Sequence, residues 1–389
     1  MPLSSRKRIL TALHLEEPDM VPISPLMHVQ FPSSFLGIDM SDLASPFAMH
    51  PVWSAELETF RRLSMDAMVD GAHGPVQARW PLPFLHTAAD YLQLPPGVKI
   101  RVDVVKKEAG RTWIRRNFET PKGILETECI VPRGDQAWEK KPLIASPDED
   151  LEKIRCILNG TISLEGYEKV RKAIGDEGVV KVMTHLPMNF WMGYRDTSGT
   201  RSIVDLYRRP DIVRDYLLLY LEMWLLPLVE ECNGHEIDVM WLDGTYTGYL
   251  NNRMFQDYVL PQLRIITQRA HFPIILFLSG GPCHRFLRDV RDSGVTCIEG
   301  LEPPPTGDIV LSQVKEEIGD GVCLKGNVDT NLLEVESPSR LEAITKECVA
   351  SAAHSGGYIL SAVDQPTPRT SVANMACFVN AGRKYGQYR

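Results

Sequence analysis

The sequence predicts an α/β chain folded as a TIM-type (β/α)8 barrel that carries a β-rich antiparallel insertion. Short runs rich in Val, Ile and Leu, without polar alternation, recur along the 389 residues. Such runs suit parallel strands covered on both faces. Helix-length stretches separate them, the order required when each parallel strand needs a crossover. One segment, 99–131, departs from this by alternating apolar and polar residues between turn signals, as an antiparallel meander does.

Taken in order, the chain opens with RKRILTALHLEEPDMVPI, which reads as a short amphipathic helix, a Glu-Pro-Asp turn and a strand over Met20–Met27. Further strands are expected at Ala67–Gly71, Val179–Thr184, Ile237–Leu242, Ile274–Leu278, Val295–Ile298, Val322–Leu324 and Tyr358–Ser361. Helices are expected over Ser202–Leu218 and Asn252–Arg269. The meander turns at Glu108-Ala109-Gly110 and at Thr120-Pro121-Lys122-Gly123, and the insertion runs to about 135. Leu143–Asn159 returns as a linker and helix, with Asp148, Glu149 and Asp150 suited to its N-terminal dipole. The strand Val322–Leu324 breaks at Gly326 into a polar Asn-Val-Asp loop, which is how a parallel α/β protein presents polar groups at its carboxyl edge. With no repeat or low-complexity segment between units, one barrel domain over 1–389 is expected.

Composition removes several classes. A net charge of −8 and the lack of a long basic run argue against nucleic acid as a partner. No stretch of about 18 apolar residues is present; Tyr216–Val229 is too short and contains Glu222. The eight cysteines are scattered without a CxxC pair, which reads as reduced thiols and a cytoplasmic location. There is no P-loop, no GxGxxG after a first strand and no GxSxG elbow.

Barrel enzymes place their working groups where strands end. The polar residues at those ends are His28, Asp70 with His73, His185, Asp243, the Ser279–His284 turn, Glu299, Asn327 with Asp329, and Asp364. Asp243, directly after a buried strand and before Gly244, reads as a base or substrate anchor, with helix capping as the alternative. His185 precedes a stretch with Trp191 and Tyr194 that resembles a lid over a pocket holding an imidazole; the alternative is that the aromatics are core. Tyr246 and Tyr249 could wall a planar ligand or simply pack. Gly280 and Gly281 suggest backbone close to a ligand or amides turned to an anion, with His284 just beyond. For Asp329 the capping role is the better reading.

The opening motif and the GNVD strand end at 326–329 together resemble the uroporphyrinogen decarboxylase superfamily over nearly the whole chain. The resemblance is nearest its corrinoid-dependent methyltransferase branch, and the Thr-Pro-x-Gly hairpin at 120–123 is similar to one found there. It implies a barrel whose residue matching Asp243 is a carboxylate facing the substrate. Two family motifs are missing. Leu26-Met27-His28-Val29-Gln30 stands where true decarboxylases carry the arginines that hold substrate carboxylates. Leu278, Gly280 and Val363 stand at the three ligand positions of the thiol-activating zinc site.

These departures make uroporphyrinogen a poor substrate and zinc an unexpected metal. The resemblance then implies methyl transfer from a small methylated donor to a corrinoid (cobalamin). A partner corrinoid protein would carry it, since no D-x-H-x-x-G motif is present. His185, Asp243 and His28 would supply acid–base chemistry. Trp191, Tyr194, Tyr246, Tyr249, Glu299, Asn327 and Asp364 would contact substrate, and Gly280, Gly281 and His284 the cofactor. A decarboxylase or lyase acting on a small acid, or a non-catalytic tetrapyrrole-binding protein, are the alternatives. The oligomeric state is left open, a homodimer included.

Overall fold

The structure, a computed structural model, describes residues 2–44, 50–71, 91–132, 137–196 and 198–388. Seven parallel strands form one curved sheet: Ala67–Asp70, Gly178–His185, Val239–Asp243, Ile274–Leu278, Cys297–Gly300, Cys323–Val328 and Tyr358–Ala362, each beside the next in chain order. The expected first strand, Met20–Met27, is present only as a bridge. Ile23 pairs in parallel with Leu360, Ser24 N donates to Leu360 O, and Asp66 N donates to Ile23 O. That short extended segment therefore lies between the last strand and the first. Pro22 and Pro25 flank it, and prolines cannot donate to a ladder.

The opening helix, Ser5–Leu13, lies across the amino end of this sheet. Ser4 caps it by accepting from Lys7 N. Its Ile9, Ala12 and Leu13 are buried against Val179, Val239, Ile275, Cys297, Cys323 and Ile359. Fully burying an Ile or Leu side chain contributes about 1.5–3 kcal/mol, so this helix is part of the core. Arg6 pairs with Asp238 at 2.8 Å, and Asp238 in turn accepts from Val180 N. Arg8 bridges Asp19 and Asp66, and Asp66 accepts from Ile23 N. The arginines of the opening motif thus tie the floor of the sheet together, at the end opposite the strand ends that carry candidate chemistry.

The insertion is a four-stranded antiparallel sheet of Lys99–Glu108, Arg111–Thr120, Gly123–Pro132 and Trp138–Lys141. Its first turn has Ala109 and Gly110 both at positive φ, the geometry of a two-residue hairpin loop. The fourth strand, WEKK, is charged and was not expected from alternation. The helix Pro147–Leu158 follows, with Asp150 Oδ2 accepting from Ser146 N.

The helix expected over Ser202–Leu218 is broken into Thr200–Arg208 and Pro210–Tyr220, because Pro210 lacks the N–H that a continuous helix would use. Asn252–Arg269 is helical throughout, but Phe255–Val259 widens by one residue just before Pro261. Leu221–Leu225 widens in the same way before Pro227. Both are π-bulges that let a proline enter a helix. No described helix is long and apolar enough to cross a membrane.

Candidate functional site

The register of two neighbouring strands builds the centre of the site. His185 and Asp243 are Cα partners at their carboxyl ends. His185 Nδ1 lies 2.9 Å from Asp243 Oδ2, an ion-pair contact whose angle falls short of an aligned hydrogen bond. Asp243 Oδ1 accepts from Thr245 N at 2.9 Å and from Thr245 Oγ1 at 2.5 Å. Burial alone would push the Asp243 carboxyl up, but His185 and Thr245 hold it below the usual range. It is therefore a carboxylate beside an imidazole, with 17% of its side chain still accessible.

Next to this pair is a cavity of about 540 Å³ lined by Gln30, Tyr249, Gly280, Gly281, Glu302 and Asp364, among others. Three carboxylates line it, Glu302, Asp329 and Asp364, and no described Lys or Arg does. Asp364 is pushed up to about 7, by burial first and then by the negative charges of Asp243, Glu302 and Glu299. It can thus hold or release a proton near neutral pH.

Glu302 changes the reading of the glycine turn. It accepts from Ser279 Oγ at 2.7 Å, Gly280 N at 3.3 Å and Gly281 N at 3.2 Å. The amides thought to await an anion are already engaged by the chain's own carboxylate. Gly280 (φ 85°) packs so close that a Cβ would meet Thr245 O at 2.4 Å, which couples this turn to the loop holding Asp243. Asp308 likewise accepts from Cys283 N and His284 N.

Several expected site residues lie elsewhere. Trp191 is fully buried, donates to Ser202 O and packs on Tyr216; Tyr194 is buried against Phe190. The stretch following His185 is therefore a core helix, Pro187–Arg195, and not a lid. Its Arg195 pairs with Asp205. Glu299 sits inside the sheet's curve, paired with Lys325 and accepting from Trp241 Nε1 at 2.7 Å. Asn327 spends its amide on Leu301 O and accepts from Cys348 Sγ. His284 turns away to Glu317, 3.3 Å distant. Asp329 caps the helix Thr330–Val335, as expected, while also lining the cavity. His28 ends the first segment, half-buried, two residues from the cavity residue Gln30. Asp70 is buried at its strand end, and His73 lies outside the described residues.

Residues 178–385, which hold the strand ends from His185 onward, match the family model described as uroporphyrinogen decarboxylase (URO-D). A uroporphyrinogen decarboxylase of Saccharophagus degradans is 32% identical over 318 residues, covering 80% of this chain and 81% of its own. The chain belongs to the uroporphyrinogen decarboxylase family. A uroporphyrinogen decarboxylase of Coxiella burnetii (strain RSA 493) is 24% identical over 187 residues, so the match spans about half of that relative, 49%. Among solved structures, a methyltransferase from Methanosarcina mazei shares the fold at a TM-score of 0.65, with 16% identity over 98% of this chain and 99% of that one.

The first strand end has no arginine, and the cavity beside Asp243 is acidic. Buried Leu278 and Val363 offer no ligand atoms, and no described group of three or more His, Cys, Asp and Glu side chains is placed to hold a metal ion.

Proposed function

We propose that this protein removes a methyl group from a small methylated compound and passes it to a corrinoid carried by a partner protein. The observation that carries this reading is the His185–Asp243 pair beside an open, acidic cavity without a described cation. Such a cavity suits a neutral or cationic methyl donor better than a polycarboxylate. In this reading Asp243 orients His185 through the 2.9 Å contact at Nδ1. His185 then gives a proton to the oxygen or nitrogen that leaves without its methyl group. Asp364, near its own titration point, is a second proton reservoir.

The rim fits a flat group presented from outside. Tyr249 is 60% exposed, and a Cβ at Gly281 would meet nothing within 4 Å. When bound, the corrinoid would supply the acceptor for the methyl group. The Methanosarcina mazei structure bears the name methyltransferase, which is consistent with this use of the fold. The decisive experiment offers the protein reduced cobalamin and a panel of methylated amines and ethers, and follows the demethylated products. Product formation that falls by about a hundredfold in D243N supports the reading; no product from any donor overturns it.

A second reading is decarboxylation of a small monoacid. The curated relatives, which are uroporphyrinogen decarboxylases, favour it, as does Asp364, a carboxyl able to protonate a carbanion near pH 7. Release of carbon dioxide without demethylation would select it.

A further inference from the structure

The insertion returns to the barrel beside the mouth. Its last strand, Trp138–Lys141, pairs Glu139 with Cys129. The chain then runs along the helix Pro187–Arg195: Ile144 N donates to Tyr194 O at 2.9 Å and Arg195 Nη1 donates to Ile144 O at 3.1 Å. Glu139 Oε1 is buried there with no hydrogen-bond partner among the described residues. Among the described residues the charge that acts on it is Asp196, at the carboxyl end of the same helix and also negative. Burial, and then Asp196, push the Glu139 carboxyl up to about 9. Near neutral pH it is a carboxylic acid, hence an O–H donor.

The first turn of that helix carries a second group of this kind. Asn189 is 3% exposed. Its Oδ1 accepts from Tyr246 N at 3.4 Å, while its Nδ2 is buried without a partner among the described residues. Tyr246 connects the two. Its ring passes over Gly193, where a Cβ would stand 3.7 Å from Cε2. Its hydroxyl, pushed up to about 12, is raised first by burial and then by Asp243, Tyr249, Glu139 and Asp196. Tyr246 thus lies between the catalytic carboxylate and the insertion, protonated and able to donate.

Buried polar atoms nearly always find partners, so two orphans about one tyrosine point to a ligand. All three groups offer hydrogens. We propose that Asn189, Tyr246 and Glu139 form a donor-lined subsite beside the His185–Asp243 pair that holds an uncharged oxygen of the substrate: a carbonyl, hydroxyl or ether oxygen. A carboxylate is disfavoured by Asp196 and Asp243, and an ammonium cannot accept the hydrogens that Asn189 Nδ2, Tyr246 and Glu139 offer. The inference rests on the proposed function solely in placing the substrate at this mouth. It also gives the insertion a role, since Glu139 arrives on its last strand.

The test uses benzamide, benzoate and benzylammonium, which share a ring and differ in charge. Calorimetric titration at pH 7 is expected to show benzamide binding about tenfold more tightly than either ion. Asn189→Ala and Glu139→Ala should each weaken benzamide by about tenfold, and Glu139→Gln, which keeps a donor, should not. Thermal melts exclude unfolding; should Asn189→Ala melt early, the Glu139 pair of variants decides alone. Preference for either ion overturns the subsite. So does benzamide affinity indifferent to Glu139→Ala, or no saturation by any probe up to roughly 10 mM. A protein that binds benzamide in this pattern yet transfers no methyl group would overturn the proposed reaction and leave the subsite standing.

Discussion

His185 and Asp243 face each other at 2.9 Å because two adjacent parallel strands end in register. Neither residue needs a loop to find the other. The sheet sets their separation, and Thr245, two residues beyond the strand, fixes the carboxylate's remaining oxygen. A pair positioned by strand register is rigid, which is what proton transfer to a bound substrate requires.

Asp243→Asn and His185→Gln are therefore expected to lower kcat by on the order of a hundredfold while leaving the melting temperature nearly unchanged, since neither swap removes core volume. Kinetics and thermal melts on both variants check this. Full activity in both would remove the pair from the chemistry, and collapse of either fold would make the contact structural.

Glu299 should behave in the opposite way. It and Lys325 are both buried inside the curve of the sheet, with Trp241 Nε1 donating to the carboxylate and the Lys181 ammonium 5.9 Å from the Trp241 ring centre. Glu299→Gln leaves the Lys325 charge buried and unmatched, at a cost of about 3–5 kcal/mol. Chemical denaturation should show that loss, and Glu299→Gln combined with Lys325→Met should recover much of it.

Asp364 links the site to stability through pH. Its carboxyl is raised to about 7 in the folded state, against about 3.9 in an unfolded chain. Between those values the folded protein holds the extra proton, so stability from this residue falls as pH rises from about 4 to about 7 and is level above. Asp364→Asn removes the effect. Denaturation at pH 4 and pH 8 should show the variant gaining on the parent at the higher pH; parallel curves would mean that Asp364 titrates normally.

The sequence displays some of these features and hides others for physical reasons. The central strands are legible because both faces are covered and their apolar runs are uninterrupted. The first is not a full strand, because Pro22 and Pro25 limit its ladder to a bridge at Ile23. His185 and Asp243 are legible as strand ends. Glu302 is visible as a carboxylate, but its grip on Gly280 and Gly281 is a contact across more than twenty residues that no local pattern encodes. Trp191 misleads because bulk near a histidine looks alike whether it walls a pocket or fills a core. Glu139 and Asn189 carry no signal of their own; only burial without partners singles them out. The opening motif, the clearest family signature, reports on the barrel floor through Arg6 and Arg8 and says nothing of the chemistry.

Zinc content is a direct measurement. Leu278, Gly280 and Val363 stand at the positions where the resemblance implies zinc ligands, and Cys283 and His284 diverge, one buried in the core and the other turned to Glu317. Elemental analysis after metal-free purification should give well under one zinc per chain. A stoichiometric value would show that a tetrahedral set assembles from residues not described as neighbours, and chelation followed by a melt would locate its contribution.

Uroporphyrinogen offers the sharpest contrast with the curated relatives. Its many carboxylates need cations, best supplied as arginine forks. Here the first strand end reads Leu26-Met27-His28-Val29-Gln30, with Leu26 and Met27 buried. The cavity beside Asp243 is lined instead by Glu302, Asp329 and Asp364. Arg285, just beyond the Gly280-Gly281 turn, is committed to the carbonyls of Gly248, Leu250 and Pro282. A polyanion entering this mouth would meet like charge and lose its water without replacement. Incubation with uroporphyrinogen under anaerobic reducing conditions should therefore yield no coproporphyrinogen above the uncatalysed background. Turnover at an ordinary rate of about one per second or faster would mean that cations reach the mouth from segments other than those described, and would make the acidic lining a poor guide to the substrate.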